Sequence, residues 1–272
     1  MRALYCVLGD PVAHSRSPAI HTRAFELLGV DAVYAPCKVA AAELPAAVAG
    51  LRALGAAGFN VTVPHKEPVS RLVDWLHPSA HAIGAVNCVA RSLDGQLNGY
   101  NSDAPGLVRA LKANGLDAAG ARVVIVGAGG AARAVAWALS SLASRITILN
   151  RTESKARALA SLVSATGCAA EAAPLDAQGP LREATLVVQC TSIGLASRET
   201  PFDPSLLPAG CALVDLVYTP QGPSPLLEAA RGARRVDGID VLVHQAIASL
   251  EIWLRRPRLD ELAGELRKAA MQ

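Results

Sequence analysis

The sequence predicts an α/β protein of two domains, the second built on a parallel sheet. Short apolar strands alternate with amphipathic helices along most of the 272 residues, and from residue 122 onward the alternation becomes a regular β-α-β series. Hydrophobic residues make up 51% of the chain and charged residues 18%, so packed cores are expected. The formal net charge is +3 and there is no dense Lys/Arg run, so neither nucleic acid nor a membrane is expected as a partner.

The first hundred residues are predicted to form strands, helices and one hairpin. Ser17 and Pro18 have the residue types of an N-cap and a first helical position, and Gly29 ends the same helix. An Asp94-Gly95 turn joins the two strands of the hairpin. The predicted elements in chain order are the strand Leu4–Leu8, the helix from Ser17 to Gly29, the strand Val33–Cys37, an Ala-rich helix to about Leu54, the strand Gly58–Val63, the hairpin strands Gly84–Arg91 and Leu97–Tyr100, and a helix from about Ala104 to Ala113.

The rest of the chain is predicted to form a second sheet and then C-terminal helices. Strands separated by helix-length segments predict a parallel sheet with helices on both faces. From Ile239 to the end, apolar residues recur at helical spacing. We therefore expect a first domain of residues 1–103, completed by C-terminal helices over 239–272, and a second domain over 104–238. The predicted strands of the second domain are Val123–Val126, Ile146–Asn150, Leu186–Gln189 and Ala212–Leu216.

The cysteines and the apolar segments favour a cytoplasmic protein. No two cysteines form a C-x-x-C pair and none has a histidine at zinc-ligand spacing, so reduced thiols and no metal site are expected. The first apolar run is too short for a signal peptide, and the segment Val123–Leu142 is interrupted by Arg133. The six cysteines are Cys6, Cys37, Cys88, Cys168, Cys190 and Cys211.

A glycine-rich turn follows the strand Val123–Val126. It fits the pattern G-x-G-x-x-A, in which glycine permits a tight turn and a close approach of the backbone to a pyrophosphate. The N-terminus of the next helix then faces the phosphates. The sequence therefore predicts a Rossmann-like domain that binds a dinucleotide. The turn residues expected to contact it are Gly127, Ala128, Gly129, Gly130 and Ala131.

The end of the following strand favours NADP over NAD. An NAD-binding domain usually carries an Asp or Glu there for the ribose 2′-hydroxyl, whereas this chain has Asn150, Arg151 and Thr152, with Lys155 one turn later. An arginine can grip a 2′-phosphate, while the amide and the hydroxyl donate hydrogen bonds. The alternative is that Arg151 and Lys155 belong to a solvated helix start, although a helix N-terminus normally favours acids.

Polar side chains also cluster after the predicted strands of the first domain, at Gly9–Pro18, Asn60–Lys66, Gly84–Asn87 and Asn98–Asp103. Ligands of open α/β sheets bind beyond the carboxyl ends of strands, so these hydroxyls, amides, one lysine and one aspartate suit a hydroxylated carboxylate. Each residue also has a simpler explanation. Ser17 or Asp103 could cap a helix, and Lys66 could lie in solvent.

Nine segments, in the same order along almost the whole chain, resemble the shikimate dehydrogenase family. They are G-D-P-V-A-H-S-R-S-P from Gly9, N-V-T-V-P-H-K from Asn60, I-G-A-V-N from Ile83, G-Y-N-S-D from Gly99, G-A-G-G-A-A-R from Gly127, N-R-T from Asn150, T-S-I-G from Thr191, D-L-V-Y-T-P from Asp215, and Gly238 to Gln245.

The resemblance implies a role for each matching residue. Ser15, Ser17 and Tyr218 would hold a carboxylate. Lys66 and Asp103 would form the catalytic pair, with Lys66, the one ammonium in the substrate segments, as general acid in the reduction. Thr62, Asn87, Asp103 and Gln245 would bind ring hydroxyls, and Thr191 and Gly238 would lie beside NADP.

The implied activity is the reduction of 3-dehydroshikimate to shikimate with NADPH, on the route to chorismate and the aromatic amino acids, by a monomer or homodimer. Rivals are a quinate or quinate/shikimate dehydrogenase, an enzyme for an amino-substituted shikimate, and a non-catalytic NADP-binding regulator. The chain departs from the family pattern at Ser102 (usually Thr), Gln189 (often Asn) and Val241 (a Met expected).

Overall fold

The computed structural model describes residues 2–219 and 222–272, which form two compact units. The first unit comprises the described residues up to Gly106 together with Leu242–Gln272, and the second is Leu107–Val241. Within the described ranges, no helix has both the length and the apolar character needed to cross a membrane.

Twelve strands and ten α-helices are assigned within the described residues. They are β1 (Ala3–Gly9), α1 (Ser17–Leu28), β2 (Ala32–Lys38), α2 (Leu44–Ala53), β3 (Gly58–Val61), β4 (Trp75–Leu76), α3 (Pro78–Ile83), β5 (Cys88–Arg91), β6 (Leu97–Tyr100), α4 (Asp103–Ala113), β7 (Arg122–Val126), α5 (Gly130–Ser140), β8 (Arg145–Asn150), α6 (Glu153–Ser164), β9 (Ala169–Pro174), α7 (Gly179–Glu183), β10 (Leu186–Gln189), β11 (Ala212–Asp215), α8 (Pro225–Ala229), β12 (Arg234–Val236), α9 (Gly238–Leu254) and α10 (Ala263–Met271).

The first unit contains a mixed six-stranded sheet of order β2-β1-β3-β5-β6-β4. Strand β1 is parallel to β2 and β3, whereas β5 is antiparallel to both β3 and β6. In register, Asn60 near the end of β3 pairs with Cys88 at the start of β5, and Cys88 pairs with Tyr100 at the end of β6. The segments after β1, β3 and β6 therefore meet at one edge of the sheet, together with the residues that precede β5.

The core of the first unit lies between this sheet and its helices. Phe59, Leu8 and Leu97 are almost completely buried in it, and each contributes roughly 1.5–3 kcal/mol by leaving water. Helix α9 packs on the same sheet, where Trp253 Nε1 donates to the carbonyl of Val89 at 2.9 Å. This packing fixes the position of α9 relative to the strand ends.

The second unit is a six-stranded sheet of order β12-β11-β10-β7-β8-β9, and all of its strands are parallel. The chain starts at β7, adds β8 and β9 on one side, and then returns to add β10, β11 and β12 on the other. This is the doubly wound order of a dinucleotide-binding sheet, in which the crevice lies between the first and fourth strands. The predicted fold class, α/β with a parallel Rossmann-like sheet, is confirmed.

Some element boundaries differ from those expected. The segment from Gly84 to Asn87 is not part of a strand, because α3 precedes it and ends at Gly84 in the left-handed region, with φ of 69°. Helix α1 has Arg16 at its N-cap with no side-chain cap, so Ser17 lies inside the helix and the expected Ser17 cap is wrong. The C-terminal helix is interrupted after Leu254, where Arg255 has a left-handed φ of 50°.

Candidate active site

Lys66 and Asp103 form an ion pair in the first unit. Lys66 Nζ donates to Asp103 Oδ2 at 2.7 Å, and the two side chains are only 14% and 19% exposed. The segment that carries Lys66 is anchored by the buried His65, whose Nε2 lies 2.7 Å from the carbonyl of Val39. A charge-assisted bond with this much shielding holds the ammonium more firmly than a surface pair would. Lys66 is therefore not the solvated residue of the simpler interpretation.

The carboxylate of Asp103 has a second partner. Asn87 Nδ2 donates to Asp103 Oδ1 at 2.7 Å and to Ser102 Oγ at 3.0 Å, and Asn87 Oδ1 accepts the backbone N–H of Ser102 at 2.7 Å. The first turn of α4 is capped by Asn101, whose Oδ1 accepts the N–H of Ala104 at 3.2 Å. The Asp103 carboxylate thus faces Lys66 and Asn87.

Gln245 reaches the same group of residues from α9. Its Nε2 donates to Ser102 Oγ at 2.7 Å and to Ser249 Oγ at 2.9 Å. The approach of α9 is close, since a Cβ at Gly106 would lie 2.7 Å from the backbone N and Cα of Gln245. Only glycine at this place in α4 permits Gln245 to come so near the start of that helix.

Ser15, Ser17 and Thr62 lie where β1 and β3 end. Ser15 Oγ accepts the backbone N–H of Ser17 at 3.3 Å, and Ser17 is buried in the first turn of α1. A Cβ at Gly9 would overlap Thr62 Cγ2, and the N–H of Asp10 donates to the carbonyl of Val63 at 2.9 Å. The loop that leads to the two serines is thereby bound to the segment that carries Thr62.

The glycine turn of the second unit has the form that a pyrophosphate requires. Gly127 has a φ of 115°, and its N–H donates to the carbonyl of Leu149 at 2.7 Å. Gly129 is the N-cap of α5 and supplies no side-chain cap, so the N–H groups of the first turn, which begins with Gly130 and Ala131, have no such partner. Ala128 lies between the two glycines in the same turn.

The residues expected to read the 2′-phosphate follow β8. Asn150 Nδ2 donates to the carbonyl of Thr152 at 2.9 Å, and Thr152 is the N-cap of α6 without a side-chain cap bond. Arg151 and Lys155 are exposed. In the described parts of the chain neither cation has an ion-pair partner, whereas Arg157 on the same helix pairs with Glu153 at 2.7 Å.

Three further predicted site residues lie in the second unit. Thr191 follows β10, Tyr218 follows β11, and Gly238 is the first residue of α9. A Cβ at Gly127 would lie 3.2 Å from Thr191 Cγ2, so the Thr191 turn lies against the glycine turn. A Cβ at Gly238, the first residue of α9, would lie 2.6 Å from the carbonyl of Leu216, two residues before Tyr218. The structure thus places Tyr218 in the second unit, whereas Ser15 and Ser17 belong to the first.

Several residues of these clusters, Ser102 among them, had no role predicted from the sequence. Asn60 Nδ2 donates to Ser249 Oγ at 3.0 Å, and Gly106 permits the close packing of Gln245. Gln189 Oε1 accepts the N–H of Thr191 at 2.7 Å and so holds that turn. The one signal available for Ser249 was its position four residues after Gln245, on the same face of a helix.

The second unit has the fold and the open helix N-terminus of a nicotinamide-dinucleotide domain, and the first holds a Lys–Asp pair among hydroxyl and amide side chains. Together they define an α/β oxidoreductase of the two-domain dehydrogenase class. The described residues contain no group of three or more His, Cys, Asp or Glu side chains that could hold a metal ion.

Comparison with known proteins assigns the chain within this class. The family model described as "Shikimate dehydrogenase substrate binding domain" matches residues 7–89, and the model "Shikimate / quinate 5-dehydrogenase" matches residues 109–196. The shikimate dehydrogenase (NADP(+)) of Methanothermobacter thermautotrophicus is 42% identical over 270 residues, which cover 96% of this chain and 95% of that protein. The chain belongs to the shikimate dehydrogenase family.

Solved structures agree with this assignment. The shikimate 5-dehydrogenase of Thermus thermophilus, in complex with NADP(H) and shikimate, superposes with a TM-score of 0.86 at 36% identity and 98% coverage of both chains. The ligand-free 5-ketofructose reductase of a Gluconobacter strain superposes with a TM-score of 0.84 at 34% identity, again with 98% coverage of both chains. The fold is therefore shared by enzymes named for different substrates.

Proposed function

We propose that this protein catalyses the NADPH-dependent, reversible reduction of 3-dehydroshikimate to shikimate, a step toward chorismate and the aromatic amino acids. The observation that carries the proposal is the Lys66–Asp103 pair, whose 2.7 Å bond lies among polar side chains at one edge of the first sheet. Membership of a family that includes an enzyme solved with both NADP(H) and shikimate supports it.

Lys66 is the proton donor of the reduction. As a ring ketone becomes an alkoxide, a proton must reach the oxygen, and the Nζ of Lys66 is the group at this edge that can provide it. Asp103 orients that ammonium through its Oδ2 and accepts from a substrate hydroxyl. In the reverse direction Lys66 acts as the base.

The remaining polar residues bind and orient the substrate. Ser15, in the loop after β1, and Ser17, in the first turn of α1, hold its carboxylate. Tyr218 is assigned to the same carboxylate. Ring hydroxyls are bound by the other polar residues of the first unit, which are Thr62, Asn87, Asp103 and Gln245.

The second unit holds NADP(H), which supplies the hydride when bound. The uncapped N-terminus of α5 and the turn from Gly127 to Ala131 would hold its pyrophosphate, and Thr191 and Gly238 would also contact the cofactor. The residues that would bind the 2′-phosphate are Asn150, Arg151, Thr152 and Lys155. Arg151 and Lys155 are exposed and have no ion-pair partner within the described chain. Exposed cations that form no ion pair among the described residues, after a strand that ends in Asn150 and not in an acid, suit a phosphate better than a free ribose hydroxyl.

The organisation of the chain follows from these roles. We assign residues 1–103 and 239–272 to substrate binding and 104–238 to NADP binding, and the two compact units support that division. The six free thiols support a reducing compartment, the cytoplasm. The oligomeric state we propose is a monomer or homodimer.

The test is a substrate and cofactor panel. Reduction of NADP+ and of NAD+ would be followed by the absorbance of the reduced nicotinamide, with shikimate and with quinate, and NADPH oxidation would be followed with 5-ketofructose. We expect the highest kcat/KM for shikimate with NADP+. Quinate adds a hydroxyl on a tetrahedral carbon and would be turned over weakly, since an added hydroxyl is only modestly rejected. A higher kcat/KM for quinate or for 5-ketofructose, which has no carboxylate for Ser15 and Ser17, would overturn the proposal.

A further inference from the structure

The Ser102 hydroxyl is the centre of a buried hydrogen-bond network behind the Lys66–Asp103 pair. Its Oγ accepts from Asn87 Nδ2 at 3.0 Å and from Gln245 Nε2 at 2.7 Å, and Ser249 Oγ lies 2.9 Å away. Both serines are fully buried, so these bonds form in a low-dielectric interior where they are strong and where a missing partner is costly.

The network is anchored in the core of the sheet. Ser249 Oγ accepts from Asn60 Nδ2 at 3.0 Å, and Asn60 Oδ1 in turn accepts from the hydroxyl of Tyr34 at 2.8 Å. Asn60 Nδ2 also donates to the carbonyl of Asn87 at 3.0 Å. Strands β2 and β3 therefore hold Ser249 through Asn60, and Ser249 is in turn bonded to Ser102.

The serines decide which end of the Gln245 amide is open to a ligand. An amide nitrogen has two hydrogens, and those of Gln245 are directed to Ser102 Oγ and Ser249 Oγ, at 2.7 Å and 2.9 Å. Both donors are thereby used within the protein. The oxygen Oε1 is the remaining polar atom of the side chain, and it is only an acceptor.

The same hydroxyl fixes Asn87 and, through it, Asp103. The two hydrogens of Asn87 Nδ2 are directed to Ser102 Oγ and Asp103 Oδ1, while Asn87 Oδ1 accepts the backbone N–H of Ser102. The amide nitrogen of Asn87 is therefore fully engaged by protein groups, and through it Asn87 also orients the Asp103 carboxylate.

We infer that Ser102 and Ser249 are positioning residues that lock Gln245 as a hydrogen-bond acceptor, so that the site selects a substrate with a hydroxyl donor at the ring position facing Gln245. The inference rests on the proposed function, since it concerns how the same site recognises shikimate. A locked acceptor rejects an analogue without the matching donor, because the acceptor then loses its partner. Without a serine hydroxyl, the amide of Gln245 can turn and present its nitrogen, and the selection weakens.

The test combines serine variants with substrate analogues. Ser102→Ala and Ser249→Ala each remove one acceptor of Gln245, and Ser102→Thr keeps the hydroxyl that the family usually carries there. Ser140→Ala is the matched control, because the Ser140 hydroxyl donates to the carbonyl of Trp137 at 2.9 Å in α5 and has no part in the network. Steady-state kinetics would be measured with NADP+ and with shikimate, 4-deoxyshikimate or 5-deoxyshikimate.

We expect the wild type to lose at least about 100-fold in kcat/KM on one deoxy analogue. Each Ser→Ala variant should raise KM for shikimate about 10-fold while leaving KM for NADP+ within about twofold, and should cut the preference for shikimate over that analogue to about tenfold. Ser102→Thr should restore the preference, and Ser140→Ala should keep it. If Ser102→Ala does not fold, Ser249→Ala provides the same test.

The outcomes separate this inference from the proposed function. A wild-type enzyme that uses shikimate but tolerates both deoxy analogues overturns the inference alone. So do serine variants that melt at lower temperature yet keep the wild-type discrimination, because that result assigns the serines a structural role. A wild type inactive with shikimate overturns the proposed function, and the inference fails with it.

Discussion

The predicted site residues of the two units differ in how far the protein itself satisfies their polar atoms. In the first unit, both carboxylate oxygens of Asp103 and both amide hydrogens of Asn87 have protein partners. In the second unit, Arg151 and Lys155 are exposed without acidic partners in the described chain, and the N-terminus of α5 has no side-chain cap.

This difference indicates two ways of preparing a site. The first unit is pre-organised by buried hydrogen bonds, which hold reacting and binding groups in place before a ligand arrives. The second leaves positive charge and backbone N–H groups open, so that an anionic ligand supplies the missing partners. Substitutions of the buried site residues in the first unit should therefore change chemistry and stability together, whereas substitutions of the exposed cations in the second should change ligand affinity alone.

The largest expected effect is at the pre-organised pair. If Lys66 transfers the proton, Lys66→Ala should lower kcat by about 10²–10⁴-fold, as for other general acid–base groups, with a smaller change in KM. The measurement is steady-state NADP+ reduction by shikimate. Lys268→Ala is the control, since Lys268 also forms a 2.7 Å ion pair, with Glu265, but is 73% exposed. A folded Lys66→Ala enzyme with wild-type kcat would exclude Lys66 as the proton donor.

A double variant tests whether Lys66 and Asp103 act as one unit. Asp103→Ala should also lower kcat, and Lys66→Ala/Asp103→Ala should lose little more than the worse single variant, because groups that act as a unit are not additive. Losses that multiply would show instead that the two residues contribute independently.

The open cations of the second unit come next. Two charge-assisted contacts to the 2′-phosphate should together be worth about 3 kcal/mol, so Arg151→Ala should weaken NADP+ binding by up to about 100-fold and leave NAD+ nearly unchanged. Fluorescence titration would give the dissociation constants of both NADP+ and NAD+. Arg157 lies in α6, shortly after Arg151, and pairs with Glu153, so Arg157→Ala should change neither constant. Equal losses for the two cofactors would show that Arg151 does not read the phosphate.

The helix crossing at Gly106 should link stability to substrate binding. A methyl group in Gly106→Ala would meet the backbone of Gln245 at 2.7 Å, and such overpacking typically costs about 1–3 kcal/mol. We expect a lower free energy of unfolding in urea and a higher KM for shikimate. Gly50→Ala is the control, because Gly50 lies in α2 with nothing within 4 Å of its added Cβ, and alanine there should be neutral or stabilising. An unchanged KM for shikimate in Gly106→Ala would show that the close packing of Gly106 against Gln245 does not determine substrate binding.

The parts of the fold that could be predicted are those with a strong local pattern. The apolar runs of β1 and β7 and the Asp-Gly turn of the hairpin each specify their structure within a few residues. Strand β9, Ala169–Pro174, lacks β-branched and aromatic residues and forms at a sheet edge, where pairing with β8 outweighs its weak propensity.

The sequence predicted which residues belong to the site, but not which hydrogen bonds join them. The motifs grouped Lys66, Asn87 and Asp103, yet they carried no information on how Ser249 meets Ser102, 147 residues away. That contact depends on the packing of α9 against the first sheet, which is a tertiary event with no local signal. The expected cap at Ser17 failed for a related reason, because the helix begins one residue earlier than the side-chain preference suggests.

One carboxylate of the second unit resembles the site residues of the first unit, because protein groups satisfy it. Asp215, at the end of β11, is buried and is satisfied by protein groups, since the hydroxyl of Ser224 and the N–H of Val217 donate to it. Burial raises the pKa of the Asp215 carboxyl from 3.8 to about 6, with the two hydrogen bonds opposing the shift. Between about pH 4 and pH 6 the folded protein therefore binds more protons at this site than the unfolded chain does, so this group lowers stability as the pH rises.

The smallest expected effect is the pH dependence that Asp215 adds to stability, about 1 kcal/mol lost from about pH 4.5 to 5.5. Carboxyls with lowered pKa values, such as Asp74 and Glu265, act in the opposite direction, so the effect must be measured as a difference between two proteins. Asp215→Asn keeps an acceptor for Val217 and does not titrate. The free energy of unfolding of the wild type minus that of Asp215→Asn should fall by about 1 kcal/mol over that interval, measured by urea unfolding at fixed ionic strength. Parallel curves for the two proteins would show that Asp215 is ionised over this interval in both the folded and the unfolded protein. The second unit would then tolerate a buried charge at the end of β11.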